Sequence, residues 1–120
     1  MAFMLLIVEP PDQRREVGRE EGERRYARML DFAKDLKGRG KLIRTESLTS
    51  QTDGVRISKR SGKTSMIDGP FAEAKEMVGG FFLVDCDSRE EAIAIAQACP
   101  AAEWSTVEVR PLGPCFVEAD

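Results

Sequence analysis

The sequence predicts one α+β domain over residues 1–120: a ferredoxin-like antiparallel sheet with two main helices on one face and an inserted hairpin. Three observations support this prediction. The elements run strand, helix, strand or hairpin, strand, helix, strand. Two strands are continuous apolar runs, which is typical of central strands buried on both faces. A chain of 120 residues has room for one modest core and no second domain.

The predicted sheet contains two central strands and two outer ones. Phe3–Val8 is apolar throughout and ends at two prolines, so it is predicted to be a central strand. Phe81–Val84 has the same character. A short strand is predicted within Leu42–Leu48, and the last strand is predicted over Ser105–Arg110, where apolar and charged residues alternate.

The first helix is predicted over residues 21–37, because apolar residues recur there at spacings of three and four. Gly38 and Gly40 are typical of the end of such a helix. The apolar stripe comprises Tyr26, Met29, Leu30, Ala33 and Leu36. Residues 10–22 have no clear pattern, and the charged stretch of residues 13–25 is interpreted as a solvated helix face or loop.

The second helix is predicted to begin after Ser88, which forms a capping box with Glu91. Its buried side is predicted to include Ile93 and Ile95, and Pro100 ends it. Between the central strands, residues 55–67 alternate about a turn at residues 60–63, which predicts a hairpin with one wet face.

The two apolar central strands have a consequence for assembly. Two helices cover one face of the sheet, so the other face needs a partner. A second copy stacked through the open sheet face is the favoured answer, because homodimers are the commonest soluble oligomers. The alternative is that the inserted hairpin and the C-terminal tail cover this face within one chain.

Composition excludes several classes of function. The formal charge of −3 and a pI near 5.1 argue against a nucleic-acid or anionic-membrane surface. No apolar run is long enough to span a membrane, and three cysteines without a C-x-x-C spacing favour a cytoplasmic setting. The chain has no histidine, so no metal site and no cofactor are predicted.

The segment Asp68-Gly69-Pro70-Phe71 is the most distinctive candidate site. Asp-Gly favours a tight turn, and Pro70 favours the first position of a short helix that Gly79-Gly80 would end. The same geometry would place Lys75 near a helix start able to hold an anion, with Asp68 or Glu73 as a base. A structural role for the whole segment stays open. Trp104 could stack on a ligand or cap the edge of the core.

The stretch from Thr64 to Val84 resembles the signature of the YCII-related proteins, in their DGPF-motif subgroup. Further similarity runs from Phe3 to the last strand, so it covers nearly the whole chain. The resemblance implies a dimeric α+β barrel. Some wider relatives are thought to be enzymes, including a dechlorinating lyase with a histidine and an aspartate at the pocket. Without histidine, this sequence does not match that pair.

Three functions are therefore weighed. The first is a small-molecule binding domain, with a pocket between the sheet and the helices or at a dimer interface. A metabolite screen would test it. The second is a lyase- or isomerase-like enzyme that uses carboxylate acid–base chemistry. The third is a purely structural or protein-partner domain. The predicted catalytic residues are Asp68 and Glu73, and the predicted ligand-binding residues are Glu46, Pro70, Phe71 and Lys75.

Overall fold

The computed structural model describes residues 1–117. The strands are β1 (Ala2–Glu9), β2 (Leu42–Ser47), β3 (Val55–Arg60), β4 (Lys63–Asp68), β5 (Met77–Asp85) and β6 (Thr106–Pro111). The helices are α1 (Gln13–Val17), α2 (Arg19–Gly38) and α3 (Arg89–Ala98), with short 3₁₀ turns at Gln51–Asp53 and Pro100–Glu103. The last residues of the predicted irregular tail, 118–120, lie outside the described part.

The main sheet has four antiparallel strands in the order β2-β5-β1-β6. This is the ferredoxin-like order, and it confirms the predicted α+β class with an antiparallel sheet. Strands β3 and β4 form a separate two-stranded sheet, which is the predicted inserted hairpin. Ser61 and Gly62 make its turn with φ of 51° and 78°, a left-handed backbone that suits a two-residue hairpin loop.

The hydrophobic core lies between the sheet and the helices. Along β1, Phe3, Leu5 and Ile7 point to this side and are buried. Phe32 of α2 packs edge-on against Phe82 of β5, with ring centroids 5.2 Å apart. Such aromatic pairs add stability beyond the area that they bury. This contact fixes α2 over the central strand of the sheet.

The buried stripe of α2 differs from the predicted one. Phe32 and Leu36 are its buried residues, and Met29 packs partly against the core. The predicted stripe included Tyr26 and Leu30, but these side chains are 53% and 46% exposed. The helix is rotated relative to the prediction because Phe32, which the predicted stripe did not include, is the side chain that packs on the sheet.

The predicted capping box at the start of α3 is confirmed. The Ser88 hydroxyl accepts a hydrogen bond from the amide of Glu91 at 3.1 Å, and the Glu91 carboxylate accepts one from the amide of Asp87 at 3.3 Å. The first bond caps the helix at Ser88, and the second reaches the amide of the residue before the N-cap, where an ideal capping box would bond the amide of Ser88 itself. Ile95 is buried as predicted, but Ile93 is 37% exposed.

The prediction of a short helix after Pro70 is wrong. Residues 71–76 contain turns, and the Gly69–Pro70 peptide bond is cis. Strand β5 begins at Met77 and pairs with the end of β1, so the residues from Met77 onward belong to the sheet and not to a helix. Gly79 and Gly80 therefore lie inside a strand and do not end a helix.

The open face of the sheet is apolar at its centre. Met4, Leu6, Val8 and Leu83 are half-buried there. The inserted hairpin is exposed on nearly all of its length, and so are residues 112–117, so within the described chain neither covers this face. Among residues 1–117, no helix is both long and apolar enough to cross a membrane.

Candidate ligand-binding cleft

A cleft of about 850 Å³ lies between the sheet and the helices, at the end where β1 and β2 finish and β5 begins. Helix α1 and the first turns of α2 form its outer wall. Its volume falls within the range of about 300–1,000 Å³ that is usual for small-molecule sites. Its apolar wall includes Ile7, Val17, Met29, Leu48, Phe82 and Trp104.

Glu9 and Arg14 form an ion pair at the strand end of this cleft. Glu9 is the last residue of β1 and is only 7% exposed. Its carboxylate accepts two hydrogen bonds from Arg14, from Nε to Oε2 at 3.1 Å and from Nη2 to Oε1 at 2.8 Å. A bidentate guanidinium is the strongest partner that a buried carboxylate has in proteins.

Pro10 and Pro11 end β1, and the turn that follows leads the chain into α1, beside the cleft. The amide of Gln13 donates to the carbonyl of Pro10 at 3.2 Å, which starts α1. Arg14 then donates to the carbonyls of Leu48 at 2.7 Å and Gly79 at 3.3 Å. One side chain thus ties α1 to the ends of three strands.

The absence of a side chain at Gly79 makes room for the Glu9–Arg14 ion pair. A Cβ atom at this position would lie 1.8 Å from Oε1 of Glu9 and 2.7 Å from Nη2 of Arg14. Gly80 has a comparable constraint, because its Cβ would lie 2.8 Å from the carbonyl oxygen of Glu46. The two glycines are therefore required by close packing at the cleft.

Trp104 also lines the cleft and lies just before β6. Its carbonyl accepts a hydrogen bond from Nε2 of Gln13, and the hydroxyl of Ser105 donates to Oε1 of the same glutamine at 2.9 Å. The guanidinium carbons of Arg25 and Arg28 lie 5.0 and 5.2 Å from the centre of the indole ring. Both distances are within the range of a cation–π contact.

The two arginines beside Trp104 differ in their partners. Arg28 pairs with the carboxylate of Glu103, and this hydrogen bond lowers the pKa of that carboxyl. Glu21 precedes Arg25 by four residues, the usual spacing of an ion pair on a helix, but its carboxylate lies 3.4 Å from the guanidinium of Arg24 instead. Arg25 is half-buried and turned toward the cleft.

The Asp68–Phe71 segment lies outside the lining of this cleft. The amide of Gly69 donates to the carbonyl of Gly54 at 2.8 Å, and a Cβ on Gly69 would lie 1.9 Å from the carbonyl oxygen of Gln51. The ring of Phe71 lies under the guanidinium of Arg56 at 4.0 Å. The segment thus closes the base of the hairpin onto the 3₁₀ turn that follows the cleft wall.

The other predicted site residues are similarly dispersed. Asp68, Pro70, Glu73 and Lys75 are exposed, and none of them lines the cleft. Glu46 is in the lining, but its carboxylate accepts from Arg44 at 2.9 Å. The strand register places both of those side chains on the face away from the helices.

Glu9, Arg14 and Arg25 are among the polar residues of the cleft that were not predicted as site residues. A signal existed for Glu9, because a carboxylate that directly continues an apolar strand needs a cation nearby. Arg25 lies four residues before Met29 and seven before Phe32, which places it on the inward face once that face is known. No such signal marks Arg14 within its charged stretch.

Comparisons with known proteins agree with this architecture. The model of the YCII-related domain matches residues 1–115. The uncharacterised protein R00369 of Rhizobium meliloti (strain 1021) is 38% identical over 96 residues, which cover 78% of this chain and 77% of that protein.

A solved structure shares the fold at low sequence identity. It is 5-chloro-2-hydroxyhydroquinone dehydrochlorinase (TftG) from Burkholderia phenoliruptrix AC1100, in complex with 2,5-dihydroxybenzoquinone. The TM-score is 0.55 at 16% identity, with 94% of each chain covered. The match of residues 1–115 to the family model, together with the 38% identical relative, shows that this chain belongs to the YCII-related family.

Proposed function

We propose that this protein is a small-molecule-binding domain whose ligand occupies the cleft between the sheet and helices α1 and α2. The observation that carries the proposal is the cleft itself, about 850 Å³ with an apolar wall and a fixed ion pair at one end. Sites for small molecules combine a mostly apolar surface with a few well-placed polar groups. The structural neighbour, solved with a small quinone, is compatible with ligand binding on this fold.

The experiment is a metabolite screen by thermal shift, with one variant that fills the cleft. Gly22 lies in the lining, and a Cβ there meets nothing within 4 Å, so Gly22→Leu adds a side chain at the cleft without a clash at its Cβ atom. Gly38→Leu is the matched control on the same helix, also unobstructed and outside the lining.

We expect compounds that raise the melting temperature of the wild type to lose this effect in Gly22→Leu and keep it in Gly38→Leu. Both substitutions replace a helical glycine, so both gain similar helix propensity. A screen without hits, or hits that survive Gly22→Leu, would contradict the proposal.

A second candidate function is a lyase- or isomerase-like enzyme that uses carboxylate acid–base chemistry. The Glu9 carboxylate in the cleft favours it, since a positioned carboxylate can act as a general base and Arg14 holds this one in place. The test is turnover of the compounds found in the screen. Loss of turnover with retained binding in Glu9→Gln supports the enzyme; absence of turnover in the wild type excludes it. An Asp68→Asn variant tests the base predicted from the sequence in the same assay.

We further propose that two copies pack through their open sheet faces, in the manner of a dimeric α+β barrel. Supporting this, Met4, Leu6 and Leu83 leave apolar surface on a face that nothing in the described chain covers. The outer strands carry charged pairs, Arg44 with Glu46 and Glu108 with Arg110. An apolar centre with a polar rim is the usual composition of an interface. We also place the chain in the DGPF-motif subgroup, on residues 68–71.

A further inference from the structure

Arg25 occupies a position where a helix of this kind normally carries an apolar residue. It lies four residues before Met29 and seven before Phe32, on the face of α2 that turns toward the sheet. The side chain is half-buried and contributes to the cleft lining. Partly removing a guanidinium from water costs free energy unless an anion compensates.

Among residues 1–117, no carboxylate lies within 4.0 Å of the Arg25 guanidinium. The other charged residues of the cleft behave differently, because each already has an oppositely charged partner at 2.8–2.9 Å. These pairs are Arg14 with Glu9, Arg15 with Asp12 and Arg19 with Glu23. Glu46 reaches the lining, but its side chain pairs with Arg44 on the other face of the sheet. The lining therefore carries one uncompensated positive charge.

Arg14 is a poor anchor for a ligand although it also lines the cleft. It already donates to both oxygens of Glu9 and to the carbonyls of Leu48 and Gly79. A ligand would have to break bonds that hold α1 to the sheet. Arg25 has no hydrogen bond to another described side chain or carbonyl, so its donors are available.

The surface beside Arg25 is flat and aromatic. The centre of the Trp104 indole lies 5.0 Å from the guanidinium carbon of Arg25 and 5.2 Å from that of Arg28, which is already paired with Glu103. The backbone of Trp104 is held in place through Gln13. A planar ligand could place its ring along the indole and its charge on the guanidinium. Arginine is suited to both, because its planar fork binds carboxylates and stacks on rings.

We propose that the ligand of this cleft is a planar organic anion, such as an aromatic carboxylate or an ionised phenol, with its charge on Arg25 and its ring against Trp104. The inference rests on the proposed binding function and specifies its ligand class. It assigns Arg25 as the residue that selects the charge of the ligand and Trp104 as the residue that selects its shape.

The test uses two probes of the same shape, 2-naphthoate and 2-naphthamide, which differ in charge. Isothermal titration calorimetry on the wild type is expected to give an affinity at least about tenfold higher for the carboxylate. The variant Arg25→Met keeps an unbranched side chain of similar length against Trp104. It should lower the affinity for 2-naphthoate by about tenfold and leave that for 2-naphthamide nearly unchanged.

Arg24→Met is the matched control, because it removes the same charge from the outward side of the same helix turn, where Arg24 pairs with Glu20. Its affinity for 2-naphthoate should stay within about twofold of wild type, since a solvent-exposed charge at this distance is screened. Equal loss in Arg24→Met and Arg25→Met would mean that overall charge, and not Arg25, attracts the anion, and would overturn the inference.

The remaining outcomes separate this inference from the proposed function. If the two naphthalene probes bind equally, or if neither binds while other compounds from the screen occupy the cleft, the ligand class is wrong and the binding function stands. If nothing binds and the screen gives no compound sensitive to Gly22→Leu, both fail. A circular dichroism spectrum of each variant identifies any loss that comes from misfolding.

Discussion

Arg14 holds the buried Glu9 carboxylate through two hydrogen bonds, of 3.1 and 2.8 Å. It also donates to the backbone carbonyls of Leu48, just after β2, and Gly79, in β5. Glu9 is 8% exposed at its side chain, whereas Arg14 is 40% exposed. The pair thus joins a buried charge to a partly solvated one. It fixes the short helix α1 over the cleft, and its removal should affect stability as well as binding.

Arg14→Met should destabilise the protein by roughly 2–3 kcal/mol, because it leaves a buried carboxylate without a partner. Arg15→Met is the control, since Arg15 is 82% exposed and its pair with Asp12 is solvated; it should cost less than about 0.5 kcal/mol. Urea denaturation measures both. Adding Glu9→Gln to Arg14→Met should recover part of the loss, and no recovery would show that the carbonyl contacts of Arg14 dominate.

Gly79→Ala should destabilise the protein by about 1–3 kcal/mol, because the added methyl group overlaps the Glu9–Arg14 pair. Gly22→Ala provides the contrast. Its Cβ meets nothing within 4 Å in α2, so it should raise stability by up to about 1 kcal/mol. Thermal and urea unfolding of the two variants should shift in opposite directions. A neutral effect of Gly79→Ala would mean that the ion pair moves aside at little cost.

Glu91 should make stability depend on acid pH. Lys41 donates to its carboxylate at 2.8 Å, and this hydrogen bond lowers the pKa of Glu91 in the folded protein. The stabilisation that this pair contributes is complete above the ordinary glutamate pKa of about 4.3. It is lost as the pH falls through the lower pKa that Glu91 has in the folded protein. Glu91→Gln should therefore lose less stability than wild type on acidification to about pH 3. Glu90→Gln, in the same turn, should behave like wild type.

The three cysteines should differ in reactivity toward a disulfide reagent such as DTNB. Cys86 and Cys99 are buried and Cys115 is exposed, and burial raises the pKa of both buried thiols. Because the thiolate is the reactive form, one thiol per chain should react quickly near pH 8 and three after unfolding in urea. Cys115→Ser should abolish the fast reaction. Fast reaction of two thiols in the native protein would contradict the described burial.

Leu83→Glu should weaken the proposed dimer, because it places a charge at the apolar centre of the open sheet face. Ile57→Glu is the control, since Ile57 is 63% exposed on the separate two-stranded hairpin and is not part of the four-stranded sheet. Sedimentation velocity should show dimers for the wild type and for Ile57→Glu, and monomers for Leu83→Glu. A wild type that stays monomeric, or a hairpin substitution that dissociates the dimer, would argue against this interface.

Most of the fold could be predicted because apolar periodicity is a local signal. Phe3–Val8 and the Ser88 cap identified β1 and α3 directly. The segment after Pro70 was mispredicted because proline and paired glycines are typical both of helix ends and of close packing. Only the contacts of Gly79 with Glu9 and Arg14 show which of these applies, and those residues are some seventy positions away in sequence.

The cleft was harder to predict than the fold, because its polar residues look like surface residues. Arg25 belongs to a stretch in which most charges form pairs along the helix, as Arg24 does with Glu20. Its inward direction depends on the rotation of α2, which Phe32 determines by packing on Phe82. The sequence alone suggests that Trp104 could contact a ligand, but it does not identify the residues that surround Trp104 in the cleft.

The position of Trp104 has a practical consequence, since it is the only tryptophan in the chain. Its ring lies in the cleft wall and beside two guanidinium groups. Under excitation selective for tryptophan, the emission of the native protein therefore comes from the cleft alone. Ligand binding in the cleft, and its loss in a variant that fills the cleft, can therefore be followed by the intrinsic fluorescence of Trp104 without a label.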